Sequence, residues 1–328
     1  MTSPSETRTL AKAPVRPVLV PEPTRGRRGW RKDPWRKPRI LEAITWAYLL
    51  WSLVPVLIAI FISFSSGRSN STFQGPLTFQ WWWGTGFQAE GGALFSDPDL
   101  RSAIRQTFLL SFATMLIAVP LGVAFAIGLD RWRGRAANAT NFVMMMSFVL
   151  PELVLGVAAL YVVLFLLTFI DLGTQAQIMA LVTFQLSYPV IIVRARLLSI
   201  GKEYEEAAMD LGATPQQSIR AVLLPLLAPA IFASFAIVFA DTIDDFVTVT
   251  YLSSDITTQP LSTKIYTNVR GSPTPAVNAA ATFMLVTTTF VIALGYIAYR
   301  RFSRGQRGPG MPEIGDFRAD RVGSGQPS

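Results

Sequence analysis

Six apolar runs of membrane-crossing length constrain this chain before any motif is considered. They cover residues 44–64, 107–129, 142–169, 176–193, 226–250 and 279–299. A helix needs about 20 apolar residues to cross the hydrocarbon core of a bilayer. Only helices and closed barrels satisfy the backbone there. The expected fold class is an all-α membrane protein with six transmembrane helices. The third run is long enough to tilt, and the fourth is short but free of charge. The fifth contains Asp241, Asp244 and Asp245. No internal repeat marks the chain as an inverted-repeat secondary carrier.

Basic residues orient the spans, because Lys and Arg concentrate on the cytoplasmic side. Arg25, Arg27, Arg28, Arg31, Lys32, Arg36, Lys37 and Arg39 precede the first run. Arg131, Arg133 and Arg135 follow the second. Arg194, Arg196, Lys202 and Arg220 follow the fourth, and Arg300, Arg301, Arg304 and Arg307 follow the sixth. The alternate side holds Arg68, Arg101, Arg105, Lys264 and Arg270. Both termini are therefore expected in the cytoplasm, and the alternation itself supports an even span count.

The formal net charge of +8 fits this topological role better than nucleic-acid binding, because the basic residues sit beside the spans. With no Cys and no His, thiol chemistry, disulfides, Cys/His metal sites and imidazole triads are excluded. Residues 1–42, rich in Pro, Arg and Thr, read as a disordered basic arm. Its basic region is too long for a signal peptide, and no small-residue cleavage site follows the first apolar run. Residues 43–303 are expected to form the transmembrane domain, and 304–328 a disordered tail.

The loop after the fourth run is more elaborate than a mere connection requires. Glu203, Glu205 and Glu206 lie where the first turn of a short helix would be, next to the positive end of its dipole. Gly212 suits a left-handed cap. Thr214, Pro215 and Gln217 then predict an N-cap, a first helical residue and a capping box. The reading is helix, tight turn, helix.

These residues resemble a family. Glu206-Ala207-Ala208, Gly212 and Val222-Leu223-Leu224-Pro225, at their spacing, are similar to the EAA loop of ABC importer permeases, which commonly have Ile where Val222 stands. From about residue 77 to 300 the chain is also similar to the C-type permease of spermidine/putrescine importers. That similarity rests on Leu150-Pro151-Glu152-Leu153-Val154-Leu155-Gly156, Asp244-Asp245-Phe246-Val247 and Leu261-Ser262-Thr263-Lys264-Ile265-Tyr266, followed by Pro275-Ala276-Val277-Asn278-Ala279. Where the family commonly reads Leu-Pro-Leu-Lys, this chain has Pro260-Leu261-Ser262-Thr263-Lys264.

The resemblance implies a type I ABC importer permease fold in a bacterial inner membrane. It implies that Glu205, Glu206, Ala207, Ala208, Gly212, Leu224 and Pro225 form a coupling loop docked on an ATPase dimer. The small alanines would admit a partner's surface, and Glu206 would offer it a charge-assisted contact. It implies a second homologous permease and an extracytoplasmic binding protein as partners. ATP and Mg would be bound by the ATPase subunit, because this chain has no G-x-x-x-x-G-K-[ST] phosphate loop and is expected to carry no cofactor, catalytic or metal site of its own.

The intramembrane acids bear independently on the solute. Ionisable groups in a span cost roughly 2.5–3.5 kcal/mol on insertion scales, so they normally face a pathway or a partner. Glu152 falls within the third run, and Asp241, Asp244 and Asp245 share one helix face at i, i+3 and i+4. No Lys or Arg lies in the third or fifth run to neutralise them. Acids lining a pore attract cations, and a polyamine is an elongated cation. The bland reading is that the aspartates end a helix and Glu152 bonds a neighbour. Permeases for thiamine, ferric ion or phosphonate, and a cation-coupled secondary transporter, are the alternatives. An intramembrane aspartyl protease would need carboxylates on two facing helices with their motifs. Trp81-Trp82-Trp83 is expected in an interfacial belt rather than stacked on a substrate, and Met144-Met145-Met146 in packing. Asn268 and Arg270 are weak candidates for contact with a binding protein.

Overall fold

The computed structural model describes residues 39–84, 92–132, 134–271 and 274–305. Residues 1–38 of the expected arm, Arg133, and the tail beyond residue 305 with Arg307 lie outside the described residues. The chain divides into two units, Met1–Leu53 and Val54–Ser328. In the first, the described residues open helix α1 (Arg39–Ile62), with Glu42 in its first turn. The Thr45 hydroxyl donates to the Leu41 carbonyl at 2.8 Å.

The second unit continues α1 and adds α2 (Gln80–Trp83), α3 (Pro98–Arg131), α4 (Arg135–Val149), α5 (Glu152–Tyr161), α6 (Thr174–Gln185), α7 (Ser187–Ile200), α8 (Glu203–Asp210), α9 (Pro215–Ser218), α10 (Leu224–Asp244), α11 (Val247–Leu252), α12 (Leu261–Gly271) and α13 (Pro275–Gly305). Among the described residues five helices are long and apolar enough to cross a membrane, and a sixth span is completed if the bent pair α4 and α5 is counted as one. The all-α class expected from the apolar runs is the class observed.

The centre of the bundle is α3 against α7 and α10. Val119, Val123, Val193, Leu197, Leu227 and Val238 bury their side chains there. Helices in lipid associate through close packing more than through hydrophobic transfer, so small residues mark the contact. Ala118, Gly122 and Ala126 form such a stripe on α3, all buried. A Cβ on Gly122 would come within 2.4 Å of Cγ of Pro189, so no larger residue fits this crossing unless a helix shifts.

Several buried polar groups bond one another across the bundle. Gln106 of α3 donates to Oε1 of Gln177 at 2.8 Å. Gln177, fully buried, donates in turn to the carbonyls of Val249 and Thr258, each at 3.0 Å. The Leu261 amide donates to the Thr107 hydroxyl at 2.8 Å. These bonds fasten α6, α11 and the start of α12 to α3, and each would be costly to leave unmade in so dry a site.

Three runs depart from their expected form. The third, expected as one helix over 142–169, breaks between α4 and α5 with a bend of 111°. Pro151 has no N–H to donate, and it disfavours helical geometry at Leu150; the ψ angles of Leu150 and Pro151 are 138° and 132°. The fourth is longer than its apolar core, because α6 and α7 together extend over Thr174–Ile200. The fifth ends at Asp244 rather than 250. Asp245 leaves the helix (φ −56°, ψ 123°), and α11 starts two residues later.

Candidate functional site

The breaks in the third and fifth runs bring their acids together. Pro151 turns the chain so that Glu152 opens α5, and α5 lies against α11. Asp241 and Asp244 occupy the last turn of α10, and Asp245 forms the bend into α11. Glu152, Asp241, Asp244 and Asp245 all line one cavity of about 340 Å³, with Phe148, Gln185, Tyr188 and Thr248. The sequence offers these four acids as candidates on two separate spans, and the structure gathers them into one site.

Their partners differ. Gln185 Nε2 donates to Asp241 Oδ2 at 2.6 Å, and the Tyr188 hydroxyl donates to Oδ1 at 3.4 Å. The Asp245 carboxylate accepts from the Val249 amide at 3.3 Å, while its main-chain carbonyl accepts from the Ser262 hydroxyl at 2.7 Å. Asp245 therefore follows the end of α10 and braces the first turn of α11. Asp244 also lines a second cavity of about 420 Å³ with Ser262, Thr282, Thr288 and Thr289. Among the described residues no Lys or Arg lines the first cavity. Among the described residues the ion pairs are Arg131 with Glu205 and Lys264 with Asp99, both outside it. Such a cavity favours cations. The rings of Phe148 and Tyr188 meet edge to face at 4.9 Å between centroids and add aromatic surface that suits an ammonium or its methylene stem.

The hairpin between α7 and α10 has the local chemistry read from its residues. Glu203, Glu205 and Glu206 fill the first turn of α8. Gly212 has φ +93°, a conformation that residues with a Cβ rarely adopt. The Thr214 hydroxyl and the Gln217 side chain complete a reciprocal capping box, with Pro215 as first residue of α9. Glu206, Ala207 and Gly212 are exposed, Ala208 half so. Leu211 is 90% exposed.

Leu224 and Pro225 lie elsewhere. They begin α10, half-buried, and Leu224 packs on the central core. The π-turn Ile219–Leu223 precedes them. Pro225 cannot donate to the carbonyl four residues back, and its ring crowds that carbonyl, so the wider turn relieves the conflict. One bond ties the hairpin to α3 and another braces its two helices on each other. Arg131 at the end of α3 pairs with Glu205, and the buried Ser218 hydroxyl donates to the Glu205 carbonyl at 3.4 Å.

Gln185, Tyr188 and Phe148 carry no motif. A polar amide inside a charge-free span is the available signal, since such a group needs a partner in lipid. Trp81 departs from the interfacial belt. It is 1% exposed, packs on Ala276 and Ala279, and donates its indole N–H to the Ser65 carbonyl at 2.9 Å. Trp82 stacks on Phe64 at 5.6 Å, and Trp83 remains exposed. The Arg270 guanidinium lies 4.4 Å from the Tyr266 ring centroid on the same helix. In the loop before α12, the exposed Asp255 accepts from the hydroxyl and amide of Thr257 and from the amide of Thr258, and these bonds hold its carboxyl below the usual range.

Comparison with known proteins agrees with this geometry. The family model described as the binding-protein-dependent transport system inner membrane component matches residues 118–308. The spermidine/putrescine transport system permease protein PotC of Haemophilus influenzae is 30% identical over 261 residues, covering 79% of this chain and 94% of that protein. The putrescine transport system permease protein PotI of Escherichia coli K12 is 29% identical over 282 residues, covering 84% and 93%. Among solved structures, a bacterial ABC transporter involved in import of the acidic polysaccharide alginate contains a chain of similar fold. Its TM-score is 0.64 at 19% identity, over 80% of this chain and 96% of that one.

Proposed function

The chain belongs to the family of binding-protein-dependent transport system inner membrane components, and we propose that it is a permease subunit that passes polyamines inward. It is a multi-pass transporter component of the inner membrane, working within an ABC importer. The observation that carries the polyamine reading is the cavity in which Glu152, Asp241, Asp244 and Asp245 meet with no basic residue among the described residues of its lining. Relatives that name spermidine and putrescine, aligned over about four-fifths of the chain, support the same solute class.

In this reading the hairpin of α8 and α9 faces the cytoplasm, as do both termini. Glu206, Ala207, Ala208, Gly212 and the exposed Leu211 meet an ATPase dimer, which binds ATP and Mg. Glu205 holds the hairpin to α3 through Arg131, Ser218 braces α9 on α8, and Leu224 and Pro225 transmit its movement into α10. Closure of the dimer then tips α10 and α3 as a rigid body and alternates the access of the acidic cavity. A second permease closes the cavity's open side, and a binding protein delivers the solute from outside.

Uptake of labelled putrescine in cells expressing the system tests this reading. Uptake that stops on ATP depletion and survives an ionophore is expected. Uptake that collapses with the ionophore and persists without ATP would instead identify a cation-coupled carrier. Thiamine, ferric ion or a phosphonate transported in preference to putrescine would move the chain to a permease for another solute.

A further inference from the structure

We infer that Gln185 is a specificity-determining residue of the cavity, forming with Asp241 a seat for a substrate –NH₃⁺ group and selecting amines that carry N–H donors. The inference rests on the reading that a cationic solute enters this cavity. Carboxylates alone attract any cation, from a metal ion to a quaternary ammonium, so the acids do not set this preference. The independent observation is the state of the Gln185 carboxamide.

Gln185 is 3% exposed and lines the cavity. Its orientation follows from its neighbour. An ionised carboxylate only accepts hydrogen bonds, so the amide must present Nε2 to Asp241, as it does at 2.6 Å. That leaves Oε1 as the acceptor of the same carboxamide. Oε1 is buried and accepts no hydrogen bond. A buried acceptor without a donor is costly, and the cost is recovered only when a donor arrives. The nearby Tyr188 hydroxyl is already directed to Asp241.

A primary ammonium has three donors. One N–H engages Asp241, a second reaches Gln185 Oε1, and the third remains for another acid of the cavity. The paired rings of Phe148 and Tyr188 lie where the apolar stem of the amine can pack. A quaternary ammonium keeps the charge but gives Oε1 no donor. Selection by an acceptor that demands a donor is stronger than selection by shape, because the wrong ligand strands a buried polar group. The competing account is that Gln185 only braces Asp241, which would affect every cation alike.

Equilibrium binding to the purified permease–ATPase assembly in lipid nanodiscs, without the binding protein, separates the two. The probes are radiolabelled putrescine and its bis-quaternary hexamethyl analogue, measured on wild type, Gln185→Met and Gln185→Asn. Wild type is expected to prefer putrescine. Gln185→Met should weaken putrescine about tenfold, the size of one charge-assisted hydrogen bond, and leave the analogue unchanged. Gln185→Asn retains both the amide donor and an acceptor and should keep more of the preference than Gln185→Met. Equal binding of the two probes by wild type would overturn the inference without any variant. Parallel loss of both probes in Gln185→Met, or unchanged putrescine binding, would do the same while leaving the cavity a cation path. Binding of neither probe by wild type would remove the cation path itself and the inference with it.

Discussion

Arg131, in the last turn of α3, donates through its guanidinium to the carboxylate of Glu205 in the first turn of α8. The pair ties the exposed hairpin to the span at the centre of the bundle. As a contribution to stability it is small, about 0–1 kcal/mol for a partly solvated pair. Its consequence is mechanical. In the proposed mechanism a push on the hairpin reaches α3 through this bond and α10 through the continuous chain.

Charge reversal at this pair should therefore uncouple without unfolding. Arg131→Glu is expected to lower solute moved per ATP hydrolysed by about fivefold, the lower end of typical coupling energies. Adding Glu205→Arg should restore it. Reconstituted assemblies assayed for hydrolysis and uptake together check both, and a double variant as impaired as the single one would reject the strut.

Gly212 should tolerate Ala far better than Pro. A Cβ there meets nothing within 4 Å, so Ala bears only the left-handed backbone cost of about 1–2 kcal/mol. Proline fixes φ near −65°, and Gly212 sits at +93°. Gly212→Pro is expected to leave ATP hydrolysis running while uptake is lost, as is Glu206→Arg. Unchanged uptake in Gly212→Pro would remove the coupling role of the hairpin.

Asp244→Asn combined with Asp245→Asn should lower uptake of a cationic solute about tenfold or more, as expected when charge-assisted contacts are lost. The fold should survive, because Asn at 245 still offers an acceptor to the Val249 amide that Asp245 now bonds. Uptake kinetics measured beside a thermal unfolding curve separate the two effects. Normal kinetics would leave these residues structural.

Gly122→Val should destabilise the bundle by about 1–3 kcal/mol, the range for overpacked cores, since its Cβ would sit 2.4 Å from Cγ of Pro189. A lowered midpoint of thermal unfolding in detergent is the expected sign. An unchanged midpoint would mean that α3 and α7 are free to separate.

Local chemistry makes the hairpin readable residue by residue. Thr214, Pro215, Gln217 and Gly212 each act within a few positions of themselves, so their roles survive without knowledge of the fold. The four acids are readable as anomalies in apolar runs, because charge in a span needs a reason. Their meeting is not readable. It depends on the 111° bend at Pro151 and on α10 stopping at Asp244, and hydropathy runs smoothly through both. Gln185 and Tyr188 are silent for a related reason: their function comes from facing Asp241 across two helices, 56 and 53 residues away. Trp81 is misplaced by its sequence context because an interfacial Trp and a buried Trp look alike until the Ser65 carbonyl is found beneath the indole.

All of this depends on an ATPase driving a cationic solute through the acidic cavity. Proteoliposomes containing this chain, its partner permease, the ATPase and the binding protein decide it, with labelled putrescine on the binding-protein side and ATP on the other. Accumulation that requires ATP and disappears in the Asp244→Asn, Asp245→Asn variant is expected. Accumulation with the ATPase omitted, or none from the complete assembly, would refute the mechanism.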